Sequence, residues 1–276
     1  MVSRLVTVGV LLAGTLASVE AQWLNHPAPE IPRTRDGKPN LFAPAPRASD
    51  RKPDLSGIWE VERPKPGEIE RLFSDVPELA QSVPGDDLRE NHRYFLNVLA
   101  DFKPGEVSVR PEAGAKNNNV SSPPCEPPSL PSVYFPLPFR IVQTPRLLVI
   151  LYEGDHTFRQ IHMDGRKLPV DPQPSWLGYS IGRWEGRTLI VETAGFNDRA
   201  ALDIFQHPRS ESLRMTERFV RRDFGHLEVE LTIDDPKTYS RPFTIRFNAV
   251  LTPDTDLLEY FGTENERDQV HLDKAK

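Results

Sequence analysis

The chain has 276 residues, 28 of them proline, and a formal net charge of −6. Twenty-one of the prolines precede residue 146, which excludes long helices and central strands there, and with them a helical bundle, a coiled coil or a doubly wound α/β fold. An acidic chain without a Lys/Arg run is a poor nucleic-acid binder, so no nucleic-acid partner is expected.

Residues 1–21 read as a secretory signal peptide. Arg4 supplies the positive charge, Leu5 to Ala17 the apolar run, and Val19-Glu20-Ala21 the small-residue cleavage site. The run is shorter than the ~20 residues a membrane span needs. The expected location is therefore periplasmic or secreted, with no span left after cleavage. Residues 22–55 form a Pro-rich arm with an internal echo. Pro32-Arg33-Thr34-Arg35-Asp36-Gly37-Lys38-Pro39-Asn40-Leu41 recurs fourteen residues later as Pro46-Arg47-Ala48-Ser49-Asp50-Arg51-Lys52-Pro53-Asp54-Leu55. Each copy predicts a turn followed by an extended piece.

Leu55 to Val61 is the first strand candidate. An insert, residues 64–138, follows. Asp86 is a candidate N-cap, and Leu88, His92, Phe95, Leu96, Leu99 and Phe102 fall at helical spacing, which predicts a helix ending before Pro104-Gly105. Residues 103–138 read as a long loop containing Asn119-Val120-Ser121, a glycosylation sequon, and Cys125, the single cysteine, which has no partner within the chain.

From Phe139 the pattern becomes strand and turn: 139–144, 147–152, 156–163, 176–184, 188–193, 212–222, 226–233, 243–251 and 257–262. Asp164-Gly165 is a hairpin signal. Leu227, Val229, Leu231 and Ile233 alternate with Glu228, Glu230 and Thr232. About ten short strands predict a mainly β fold, an antiparallel meander closing into a barrel, with a β-sandwich as runner-up. The single barrel domain runs from residue 56 to 276.

Gly57-Ile58-Trp59 resembles the Gly-x-Trp of lipocalin-like barrels. Five further segments, Asp54–Trp59, Pro138–Pro145, Gly182–Gly186, Glu192–Asp198 and Arg222–His226, resemble a family of uncharacterised secreted bacterial proteins found in soil bacteria such as acidobacteria. The resemblance covers nearly all of the chain after the signal peptide and implies a compartment, not a reaction. The family pattern has His-Pro-His-Ser-Glu where this chain reads His207-Pro208-Arg209-Ser210-Glu211, which weakens a two-histidine metal site. It has a cysteine where this chain has Gly262. If relatives bridge it to their equivalent of Cys125, that disulfide is absent here.

Walker, Gly-x-Gly-x-x-Gly, Gly-x-Ser-x-Gly, His-Glu-x-x-His and Cys-x-x-Cys motifs are all absent. No cofactor and no metal are therefore expected. Gly195 to Glu217 holds the longest connection of the C-terminal half, and long loops at a barrel mouth are where sites tend to lie. His207 is the candidate general base, with Asp198 or Glu211 orienting it. Trp176, Tyr179, Trp184, Phe196, Asn197 and His162 are the candidate ligand contacts. Glu192, Glu217, Arg218, Glu228 and Glu259 lie on strands, and an inward Glu–Arg pair would bind a polar ligand or do acid/base work. The leading expectation is a barrel that binds a small amphipathic or apolar molecule. The alternatives are a small-molecule lyase, isomerase or hydrolase, and a cell-surface interaction module acting through the arm.

Overall fold

The computed structural model describes residues 27–65, 67–74, 92–113, 129–135, 137–154 and 157–258. Nine strands close into one barrel: β1 Gly57–Val61, β2 Phe139–Gln143, β3 Leu147–Tyr152, β4 Phe158–His162, β5 Tyr179–Glu185, β6 Thr188–Ala194, β7 Arg214–Arg221, β8 His226–Asp234 and β9 Phe243–Leu251. β1 closes the ring by pairing with both β2 and β9, Trp59 standing opposite Phe139 on one side and Leu251 on the other. Closure leaves no long unpaired edge.

The expected β content and closure hold, with two corrections. β4 and β5 pair in parallel, through Ile161 with Ser180 and His162 with Ile181, so the ring is not a pure antiparallel meander. Asp164-Gly165 is a bend and not a hairpin: Arg166 donates from Nε to Asp164 Oδ1 at 2.8 Å, and the chain crosses over before β5 starts. The predicted helix survives in its described part only as α2, Arg93–Leu96, because Asn97 is extended (φ −148°). A second short helix, α1, spans Glu68–Ser74. Residues 86–91, the sequon, Cys125 and residues 259–262 of the strand proposed at 257–262 lie outside the described residues, while residues 257 and 258 are not in a strand. Among the described residues no helix is long and apolar enough to cross a membrane.

Strand alternation decides what fills the barrel. Trp59, Phe139, Ile141, Ile150, Tyr152, Ile161, Leu189, Val191, Phe219, Val229, Leu231, Ile245 and Phe247 are all buried inward residues. Glu192, Glu228 and Glu230 face out and pair with Arg183, Arg222 and Arg246.

The two ends are closed differently. At the floor, Arg221 lies over the Trp59 ring, 4.9 Å from its centroid, and donates to the carbonyls of Asp54 (2.6 Å) and Ser56 (3.2 Å) and twice to that of Phe224. Gly57 is required here: its φ is +143°, and a Cβ would overlap Leu251 Cδ1. The arm wraps this end. Ile31, Ala43 and Leu55 are buried, and Phe224 and Gly225 donate their amides to the carbonyls of Ala43 and Leu41 at 2.7 Å. The sequence echo is a structural repeat. Thr34 and Ala48 donate to the carbonyls of Lys38 and Lys52, Asn40 and Asp54 to those of Pro32 and Pro46, and Gly37 and Arg51 both adopt positive φ.

At the opposite end a 3-10 turn, Ser132–Tyr134, and α2 form a plug. His92 stacks on Phe135 with ring centroids 5.1 Å apart, and Phe135 meets Phe247 at 5.1 Å.

Candidate functional site

Three places concentrate polar chemistry. The first is inside the barrel. Arg159 on β4 and Glu217 on β7 are buried and joined through the two terminal guanidinium nitrogens, Nη1 and Nη2. Arg159 also donates from Nε to Ser180 Oγ (2.9 Å) and from Nη2 to Thr193 Oγ1 (2.6 Å). From the plug, Tyr134 donates to Glu217 Oε1 at 2.7 Å and accepts from Arg159 Nη1 at 3.0 Å. Burial alone would lower the Arg159 pKa, but the Glu217 carboxylate outweighs it and raises it. Burial lifts the Tyr152 phenol to about 12 and, with Glu217, raises that of Tyr134 well above the usual phenol range, so both stay protonated. Among the described residues the Tyr152 hydroxyl makes no hydrogen bond of normal geometry, though Tyr134 and Arg159 lie near enough to act on it.

The second place is the β6–β7 connection at the plugged end. His207 Nδ1 lies 2.6 Å from Asp203 Oδ2, and the same carboxylate accepts the amides of Val98 (2.6 Å) and His207 (3.1 Å). A ring that donates from Nδ1 to a buried carboxylate presents Nε2 as an acceptor, the arrangement of a general base. Beside it Arg209 is buried against Phe196, its centroid distance 5.2 Å. Its acceptors are Ser129 Oγ, Asn197 Oδ1 (2.8 Å) and the Trp176 carbonyl (3.3 Å). Burial lowers its pKa to about 10, which leaves it cationic at neutral pH.

The third place is a cavity of about 250 Å³ between the arm and the floor. Ile31, Ile58, Phe224 and Leu251 supply apolar wall, and Arg140 and Arg221 supply cationic groups. Burial lowers the Arg221 pKa to about 10, and among the described residues no carboxylate oxygen hydrogen-bonds this guanidinium. A shallower cleft of about 400 Å³ runs beside Pro172, Phe196, Glu211 and Leu213, and another of about 190 Å³ beside Phe42, Asp223 and His226.

The sequence candidates divide among these places. His207 has an orienting carboxylate, but it is Asp203. Asp198, expected to orient it, is exposed, and Glu211, the other candidate, pairs with Lys237; the carboxylate seen bonded to the imidazole is Asp203, four residues back. Phe196, Asn197 and Trp176 surround Arg209. Tyr179 and His162 stack on the outside of β4–β5 at 5.2 Å, with Arg166 donating to the Tyr179 hydroxyl at 2.9 Å. Trp184 packs half-buried against the core. These three are not gathered with His207. Glu259 lies outside the described residues, and of the described strand charges among these candidates Glu217 is the inward one. Its partner Arg159 escaped notice, though the Arg159/Ile161 alternation carried the signal. Asp203 and the Arg221 floor carried no comparable pattern. Among the described residues no three His, Cys, Asp or Glu side chains are placed to hold a metal.

No protein-family model, curated protein or solved structure matches the chain significantly.

Proposed function

We propose that this β-barrel is an exported protein that binds a small amphipathic molecule in the cavity between its arm and its floor. The observation that carries the reading is the joining, in one recess, of an apolar wall with a buried guanidinium that keeps its charge and is bonded by carbonyl oxygens alone. Pockets for small ligands combine those two features. Export rests on Arg4, the apolar run behind it and the resemblance to secreted bacterial proteins. The interaction-module reading has less support, since Ile31, Ala43 and Leu55 of the arm are spent on the barrel itself.

Native mass spectrometry of the protein from an extracytoplasmic fraction tests the proposal. A co-purifying small molecule should appear on the wild-type chain and vanish from Thr252→Trp, which fills the cavity. An adduct retained by that variant, or none on the wild type, removes the reading.

The His207–Asp203 pair favours a second reading, an enzyme acting on small molecules by general-base chemistry. Turnover of some member of a panel of small esters, lactones and hydroxy acids, lost in His207→Gln, would support it. An inactive wild type would count against it.

A further inference from the structure

The barrel interior is occupied by a side chain that no strand supplies. Tyr134 belongs to the plug, yet its ring meets Phe139, Tyr152 and Phe247 of three strands at 5.3, 5.6 and 5.6 Å. Its hydroxyl completes the Arg159–Glu217 pair as donor to one and acceptor from the other. The plug is held from outside the barrel, Ser132 Oγ donating to the Leu202 carbonyl at 2.6 Å. A phenol ring in an aromatic sleeve, hydroxyl against a charged pair, is how a bound phenol would be held.

We propose that the barrel interior is a second binding site, selective for a neutral hydroxylated aromatic ring, and that Tyr134 occupies it as an internal stand-in for that ligand. The chemistry narrows the class. A carboxylate would face Glu217 and an ammonium would face Arg159, each a like-charge contact in a buried place. A neutral hydroxyl satisfies both partners at once. This site is distinct from the arm cavity, so either can fail alone.

The test uses the full chain in the Thr252→Trp background, which keeps the probe out of the arm cavity. Phenol and toluene are titrated by calorimetry and by their effect on the melting temperature. The wild-type plug should compete, so phenol binds weakly but saturably, reduced by the fraction of molecules with the plug withdrawn. Tyr134→Ala should bind phenol about tenfold or more tighter and prefer it to toluene by about tenfold, the worth of a hydrogen bond to a charged group. Tyr134→Phe, which fills the ring space, should show no such gain. If Tyr134→Ala does not fold alone, folding rescued by phenol and not by toluene is the same positive result. The proposal is overturned by no saturable phenol response with Tyr134 intact, by equal uptake of phenol and toluene in Tyr134→Ala, or by failure to fold with either.

Discussion

The centre and the floor of this barrel each bury an arginine, and they neutralise it in opposite ways. At the centre Arg159 faces a carboxylate, and its charged form is favoured despite burial. At the floor Arg221 faces carbonyl dipoles and two aromatic rings, and burial wins, moving its pKa down to about 10. The central pair is complete within the protein and is covered by the Tyr134 side chain of the plug. The floor guanidinium keeps its charge at the edge of an open cavity, with Asp54 and Asp223 near it but no carboxylate bonded to it among the described residues. A buried ion pair is weak evidence for stability in itself, so the centre is read through the ligand-like geometry of Tyr134, and the floor through its residual charge.

Removing the partner should hurt most where a full charge is left behind. Glu217→Gln strands Arg159 in the interior and should cost about 3–5 kcal/mol in urea unfolding. A loss under about 1 kcal/mol would mean that water already reaches the pair.

The plug above that pair adds a pH dependence on the acid side of neutrality. Burial, aided by the nearby Arg93 charge and opposed by Glu68 and Asp101, lowers the His92 pKa from 6.5 to about 4. Below pH 6.5 the unfolded chain takes up a proton that the folded chain refuses. Stability therefore falls as pH drops from 6.5 towards 4, by about 3 kcal/mol in all. Comparing His92→Phe with the wild type across that window isolates the effect, since the variant should lose this slope while other carboxylates titrate in both. Parallel slopes would place His92 in contact with water.

Arg221→Met should cost less than Glu217→Gln, about 2 kcal/mol, because it leaves neutral carbonyls unpaired instead of a charge. An equal or larger loss would mean that the floor, not the centre, organises the barrel.

This contrast was only half legible in the sequence. Alternation placed the strands, since Leu227 to Ile233 can bury one face in only one register, and it put Glu217 among the inward candidates. The same parity assigns Arg159 to the interior, but a charged residue beside exposed Phe158 and Gln160 reads as surface until its partner is known. The parallel β4–β5 pair was hidden because Asp164-Gly165 carries the chemistry of a tight turn, which the Arg166–Asp164 contact uses without returning the chain. Asp203 was missed for another reason. Its importance comes from bonds to His207 and to the Val98 amide 105 positions away, and loop contacts of that range have no local pattern. The floor was legible as the motif Gly57-Ile58-Trp59, but not as a site, because its arginine and the carbonyls of Asp54 and Ser56 come from two distant segments.

The smallest expected effect links the arm to the floor. The second copy of the arm repeat positions Asp54, whose amide donates to the Pro46 carbonyl at 3.0 Å and whose own carbonyl accepts from Arg221. In the first copy the turn is made by Gly37, at φ +81°, and in the second by Arg51, at φ +64°. A non-glycine residue there costs about 1–2 kcal/mol, while glycine returns roughly 0.5–1 kcal/mol of that by loosening the unfolded chain. Arg51→Gly also removes nothing that Arg47 needs, since Arg47 Nη1 bonds the Arg51 carbonyl and not its side chain. The variant should therefore be stabilised by about 0.7 kcal/mol, within a range of roughly 0–1.5, with ligand retention at the arm cavity unchanged. A clear destabilisation would show that the Arg51 side chain, and not the turn alone, holds the Asp54 carbonyl against Arg221.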